Sequence, residues 1–194
     1  MITFEIPQLD EIKARLRNVP EGANWAIMRT LNDVAESGQK VALQAAFKRY
    51  NLKEGDIRKG FTVMKATTGR LVAVIRVSGR RFPIQMFSPR MTSTGVAFEE
   101  VRGTQSEISH AFLATMRYGA NVFAREGPKR GPVQMQTGLS VANMVREQEE
   151  VLPKVEARIR EQFTKRAEYW VSEALKGNRT KYGAAGAEGG GGET

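Results

Sequence analysis

FTVMKATTGRLVAVIRVSGRRFPIQMF, residues 61–87, decides the fold class. Phe61–Thr67 and Leu71–Val77 are rich in β-branched and apolar residues, and Thr68, Gly69 and Arg70 between them carry the turn chemistry of a hairpin. A second turn at Ser78 and Gly79 leads into Arg81–Phe87, where Phe82, Ile84 and Met86 alternate with Pro83 and Gln85 as in a half-buried strand. Proline cannot donate to a ladder, so Pro83 puts this strand at an edge or beside a bulge. Gly95–Arg102 adds a further strand, with Val96 and Phe98 on one face. The middle of the chain is expected to be a small, mostly antiparallel sheet.

The texture on either side is helical. From Asn24 to Arg49, residues Ile27, Met28, Leu31, Val34, Val41, Ala45 and Ala46 recur at three- and four-residue spacing, which predicts a long amphipathic helix. Before it, Leu9, Ile12 and Leu16 suggest a shorter helix closed by a turn at Pro20 and Gly22. After the sheet, Ser140 has the chemistry of a helix cap. Leu152, Val155, Ile159, Phe163, Trp170 and Ala174 then hold a helical period from Val151 to about Lys176, with Pro153 starting or kinking the helix. The expected class is α+β, a small mostly antiparallel sheet flanked by a long helix in the N-terminal half and a long C-terminal helix. One domain over 1–176 is expected. Residues 177–194, rich in Gly and Ala with a run of four glycines, cannot offset their ordering entropy by burial and are expected to be a flexible tail.

Of the 194 residues, 41% are hydrophobic, enough for one ordinary core. The net charge of +9, from 30 Lys and Arg against 21 Asp and Glu, biases the chain toward acidic partners or a polyanion. The charges are spread along the sequence, as on a solvated surface, and form no block of one sign. The absence of cysteine excludes disulfides, thiolate metal sites and thiol nucleophiles. No apolar run approaches the roughly 20 residues of a membrane helix, and Met1–Asp10 lacks the charged and apolar regions of a signal peptide. A soluble protein made in the cytoplasm, with no membrane partner, is expected.

Catalysis needs a nucleophile or a metal with a base nearby, and the chain has one histidine, His110. One imidazole cannot build a histidine-rich metal site. The acid pairs Glu99 with Glu100 and Glu149 with Glu150 are sequence neighbours whose side chains diverge, and they read as solvated charges. The glycines at Gly127–Gly131 and Gly177–Lys181 do not match the G-x-x-x-x-G-K-[ST] loop that converges on a phosphate. The four glycines near the C-terminus lack the flanking strand and helix of a dinucleotide site. The expectation is no enzyme and no cofactor, with no catalytic or metal-binding residues.

The informative run is Ala111-Phe-Leu-Ala-Thr-Met-Arg117, then Gly119, Val122-Phe-Ala-Arg-Glu-Gly127, Arg130, Pro132-Val133 and Gly138-Leu-Ser-Val141. Read from the residues alone it makes a strand, a turn and a helix cap, with Phe112, Met116 and Phe123 in the core. Gly119 and Gly127 would allow backbone conformations that a Cβ opposes. The turn Arg125–Arg130 offers Arg125, Lys129 and Arg130 as cations for an acidic neighbour or a phosphate. In order and spacing the run resembles the minor tail protein Z family of tailed bacteriophages, which presents an AF-x-AT-M segment, a glycine, a VF-x-R-x-G turn, a basic residue before Pro and an aliphatic residue, and a G-P-S-V helix start. The likeness covers Ile108 to Met144. Leu139 stands where the family tends to have proline, and Gly131 separates Arg130 from Pro132.

The resemblance implies a virion structural protein that completes the head-proximal end of the tail and supports head–tail joining. It implies a homo-oligomeric ring, expected to be a hexamer, built by a heterologous contact. The implied partners are tail tube or tail terminator proteins and head–tail connector proteins, with DNA in the lumen as a further candidate. Arg158, Arg160, Lys165 and Arg166 on the C-terminal helix read as a solvated face before a DNA-facing stripe. The alternative is a basic nucleic-acid-binding protein acting outside the virion, although the aromatic-and-basic pattern of single-strand binders is missing.

Overall fold

The computed structural model describes residue 14 and residues 20–117, 119–127, 131–149 and 151–177. In chain order it contains helix α1 (Pro20–Arg49), helix α2 (Glu54–Lys59), strands β1 (Phe61–Met64), β2 (Val74–Val77) and β3 (Arg81–Pro83), and a 3₁₀ turn (Ile84–Phe87). Strands β4 (Arg90–Met91), β5 (Gly95–Val101), β6 (Thr104–Ser109), β7 (Phe112–Met116), β8 (Gly119–Arg125), β9 (Val133–Met135) and β10 (Thr137–Ser140) follow, then helices α3 (Val141–Arg146) and α4 (Val151–Leu175). The fold is α+β, with short strands lying between two long helices in the sequence.

Where one sheet was expected, the strands form four small ladders: β1 with β2, β3 with β10, β4-β5-β6, and β7-β8-β9. The break comes at Arg81–Phe87, expected as a single strand. Ile84 and Phe87, three apart, are 2% and 0% exposed, so the burial period is that of a 3₁₀ turn and the alternation stops at Pro83. The Ile84 N–H donates to the Gln136 carbonyl at 3.1 Å. Pro83 does lie at an edge, since β3 pairs only with β10. Strand β6 has no counterpart in the sequence reading.

Helix α1 begins four residues earlier than its apolar period, at Pro20, so Pro20 and Gly22 do not form the expected turn. The first N–H groups of a helix have no partner within it, so proline at the first position loses nothing. Leu9, Ile12 and Leu16, and residues 178–194 of the expected tail, lie outside the described residues.

The chain divides into two compact units, the first made of Met1–Val41, Thr62–Arg76 and Pro153–Thr194. Its core joins Ile27 and Val34 of α1 to Val155, Ile159 and Phe163 of α4, each 5% exposed or less. Burying side chains of this size stabilises by about 1.5–3 kcal/mol each. Gly38 makes close packing possible: a Cβ there would meet Ile159 at 3.2 Å and Ile75 at 3.3 Å. The Asn32 amide acts as a substitute strand partner, donating to the Ala66 carbonyl at 3.1 Å and accepting the Ala66 N–H at 2.7 Å. Trp25 meets Trp170 edge to face at 5.3 Å, and Trp170 Nε1 donates to Asp33 at 2.9 Å.

The second unit is Ala42–Phe61 with Val77–Leu152. Tyr50, which follows the last residue of the long helix and bridges to Val101, is fully buried. Ala46, Ile57, Phe87, Val96, Val122, Val141 and Met144 complete the core, each 1% exposed or less. The Ser78 N–H donates to the Gly60 carbonyl at 2.8 Å, and the Ala142 N–H donates to the Ser78 carbonyl at 3.1 Å, which ties α3 to the chain entering β3. Ser140 caps α3 as its sequence suggests: its hydroxyl accepts the Asn143 N–H at 3.2 Å.

Candidate partner-binding surface

Strands β7 and β8 form a β-hairpin, to which β9 adds a third strand. Phe112 stands opposite Phe123, and Phe123 opposite Met135, so the three share one face of β7-β8-β9. The period of two puts Met116 and Arg125 on the same face. The hairpin turns at Gly119, whose φ of +90° is a left-handed backbone that side chains other than glycine rarely adopt. Gly127 has no such need, since its φ is not positive.

This face is only partly covered. Phe123 is buried at 7% exposure and Phe112 is half-buried, but Met116 is 38% and Met135 42% exposed. Met116, expected in the core, is instead 38% exposed: it pairs with Gly119 at the turn end of the hairpin. Leu113, 38% exposed, adds apolar surface on the opposite face. Arg125, the described member of the predicted cation group, is exposed and holds its guanidinium 5.0 Å over the Phe112 ring. Such stacking orients the cation. Lys129 and Arg130 lie outside the described residues. The arrangement offers adaptable thioethers and an aromatic edge next to an oriented positive charge, a combination suited to gripping another macromolecule.

A second cluster went unread in the sequence. Glu100, expected as a solvated charge, is half-buried, and its carboxylate accepts the Leu139 N–H across the unit and abuts Gly138. Burial raises its pKa above the usual carboxylate range, and nearby Glu147 adds to this, while the Leu139 N–H and Arg81 work in the opposite direction. Tyr50 donates its hydroxyl to Glu147 at 3.5 Å, and burial followed by Glu147 pushes its pKa up. Glu99 does diverge from Glu100 as expected, accepting the Gly103 N–H at 2.7 Å. Proline at Leu139 would remove the N–H that Glu100 receives.

The described residues contain no group of three or more His, Cys, Asp and Glu able to hold a metal ion. His110 sits exposed in the turn between β6 and β7, with φ 59° and its N–H on the Thr94 carbonyl at 2.8 Å. Glu99 and Arg90 line a shallow pocket of about 230 Å³, but the Glu99 carboxylate is engaged by the turn at Gly103 and His110 is not part of the lining. No described helix is long and apolar enough to cross a membrane. Comparisons with protein-family models, curated proteins and solved structures find no match to this chain.

Proposed function

We propose that this chain is a structural virion protein of a tailed bacteriophage, which completes the head-proximal end of the tail and supports head–tail joining as a subunit of a homo-oligomeric ring. The observation that carries the reading is the ordered run from Ala111 to Val141, whose spacing resembles the minor tail protein Z family. The exposed face of that run supports it, because a protein that acts by assembly needs outward apolar side chains with charge beside them. Met116, Met135 and Arg125 supply both. The ring contact is heterologous, one face of each copy packing on a different face of the next, and closes at six copies. Tail tube or terminator proteins cover one side and connector proteins the other. The positive balance suits acidic surfaces there, or DNA in the lumen.

Native mass spectrometry of the purified chain, alone and with purified tail tubes, tests this reading. A closed oligomer of six copies is expected, and Arg125→Glu together with Met116→Ser should shift it to the monomer. A chain that stays monomeric under both conditions contradicts the proposal. The charge of +9 keeps a second reading in view, a nucleic-acid-binding protein acting outside the virion. Tight, salt-sensitive retention of unrelated duplex DNA by the monomer in a filter assay would favour it.

A further inference from the structure

Four elements of the second unit meet around two carboxylates. Tyr50 comes from the end of the long helix, Glu100 from β5, Gly138 and Leu139 from β10, and Glu147 from the residue that closes α3. The joint is tight. Tyr50 is fully buried, the Asn51 N–H donates to the Glu100 carbonyl at 3.0 Å, and the Glu100 carboxylate takes the Leu139 N–H. A Cβ at Gly138 would overlap that carboxylate and come within 2.9 Å of the Phe87 ring, so the carboxylate fills the space a side chain would need. The charged groups facing Glu100 are Glu147 and, on β3, Arg81, whose backbone is in register with Ser140 of β10. Arg49 lies over the Tyr50 ring at 5.9 Å.

We propose that Tyr50, Glu100 and Glu147 form a proton-operated latch, in which protonation of Glu100 tightens the hold of β10 and α3 on the end of the long helix and ionisation loosens it. The chemistry is a contest between two acceptor states of one carboxyl group. Ionised Glu100 makes a stronger bond to the Leu139 N–H, but it is half-buried and of the same sign as Glu147. Protonated Glu100 still accepts that N–H through its carbonyl oxygen and removes the repulsion. The Tyr50 hydroxyl meanwhile stays on the Glu147 carboxylate.

The sign follows from the half-burial of the Glu100 carboxylate beside Glu147, both of which disfavour its charged form. A carboxyl group whose folded pKa lies above its unfolded value binds the proton more tightly when folded, so stability rises as pH falls through the folded pKa toward the unfolded one. This is the reverse of Glu107, held low by the Thr94 and Thr92 hydroxyls, whose contribution is lost on acidification. The latch does not depend on the tail-protein reading and stands if that reading fails.

Amide hydrogen exchange of the full chain between pH 8 and pH 5, corrected for intrinsic rates, tests the latch. Protection of residues 139–147 is expected to rise on acidification, about tenfold for each unit by which the Glu100 carboxyl lies above its unfolded value. Amides of the helix from Phe163 to Val171 serve as the internal reference. In Glu100→Gln the same residues should be well protected at every pH and lose the dependence. In Glu147→Gln the midpoint should move down toward the ordinary carboxylate range. Protection that falls on acidification in the natural chain overturns the proposal. So does an unchanged pH dependence in Glu100→Gln, or, if that variant does not fold, an unmoved midpoint in Glu147→Gln.

Discussion

Ser140 and Glu100 show how far a single residue can be read before the fold is known. Ser140 is fully buried and caps α3 through the Asn143 N–H three positions on, a relation that sequence spacing contains in full. Ser140→Ala is expected to lower stability by about 1 kcal/mol, the usual worth of such a cap, measured as a shift of the urea midpoint at unchanged slope. Glu100 was not legible, because the N–H it accepts lies 39 positions away on β10, and nothing local marks one member of an acid pair as half-buried. Met116 misled for a related reason. An apolar residue in an alternating strand predicts a face, but whether another layer covers that face is a property of the fold.

Among the elements, length and period decided what could be read. The helix α4 spans 25 residues, and Val155, Ile159, Phe163, Trp170 and Ala174 keep its buried stripe in phase over most of that length. At its start the phase is set by Val151, 1% exposed, and Leu152 points outward at 39%. Strand β6, TQSEIS, escaped notice because both its faces are mostly exposed: its ladder to β5 holds it, with no apolar stripe to reveal a period. The turn Ile84–Phe87 was mistaken for a strand because four residues are too few to separate a period of two from one of three. Close packing within the first unit gives the prediction at this scale. Gly38→Val should cost about 1–3 kcal/mol by forcing Ile159 and Ile75 apart, and Gly38→Ala clearly less, compared by thermal melting.

For the molecule as a whole, the α+β class was legible because helical and strand periods occupy separate stretches of the chain. The two compact units were not, since each gathers segments far apart in sequence and α1 contributes residues to both. The proposed function rests on order and spacing alone, in the run from Ala111 to Val141. Its folded form adds an exposed apolar face and an oriented arginine that composition alone could not supply. The claim on which the account turns is that the chain is built into a particle as repeated copies of itself. Cryo-electron microscopy of intact tailed particles, with the reconstruction taken at the junction of head and tail, tests it most directly. A ring of this chain, six copies about the tail axis, is expected at the head-proximal end of the tube. Mature particles that lack the chain altogether would contradict it.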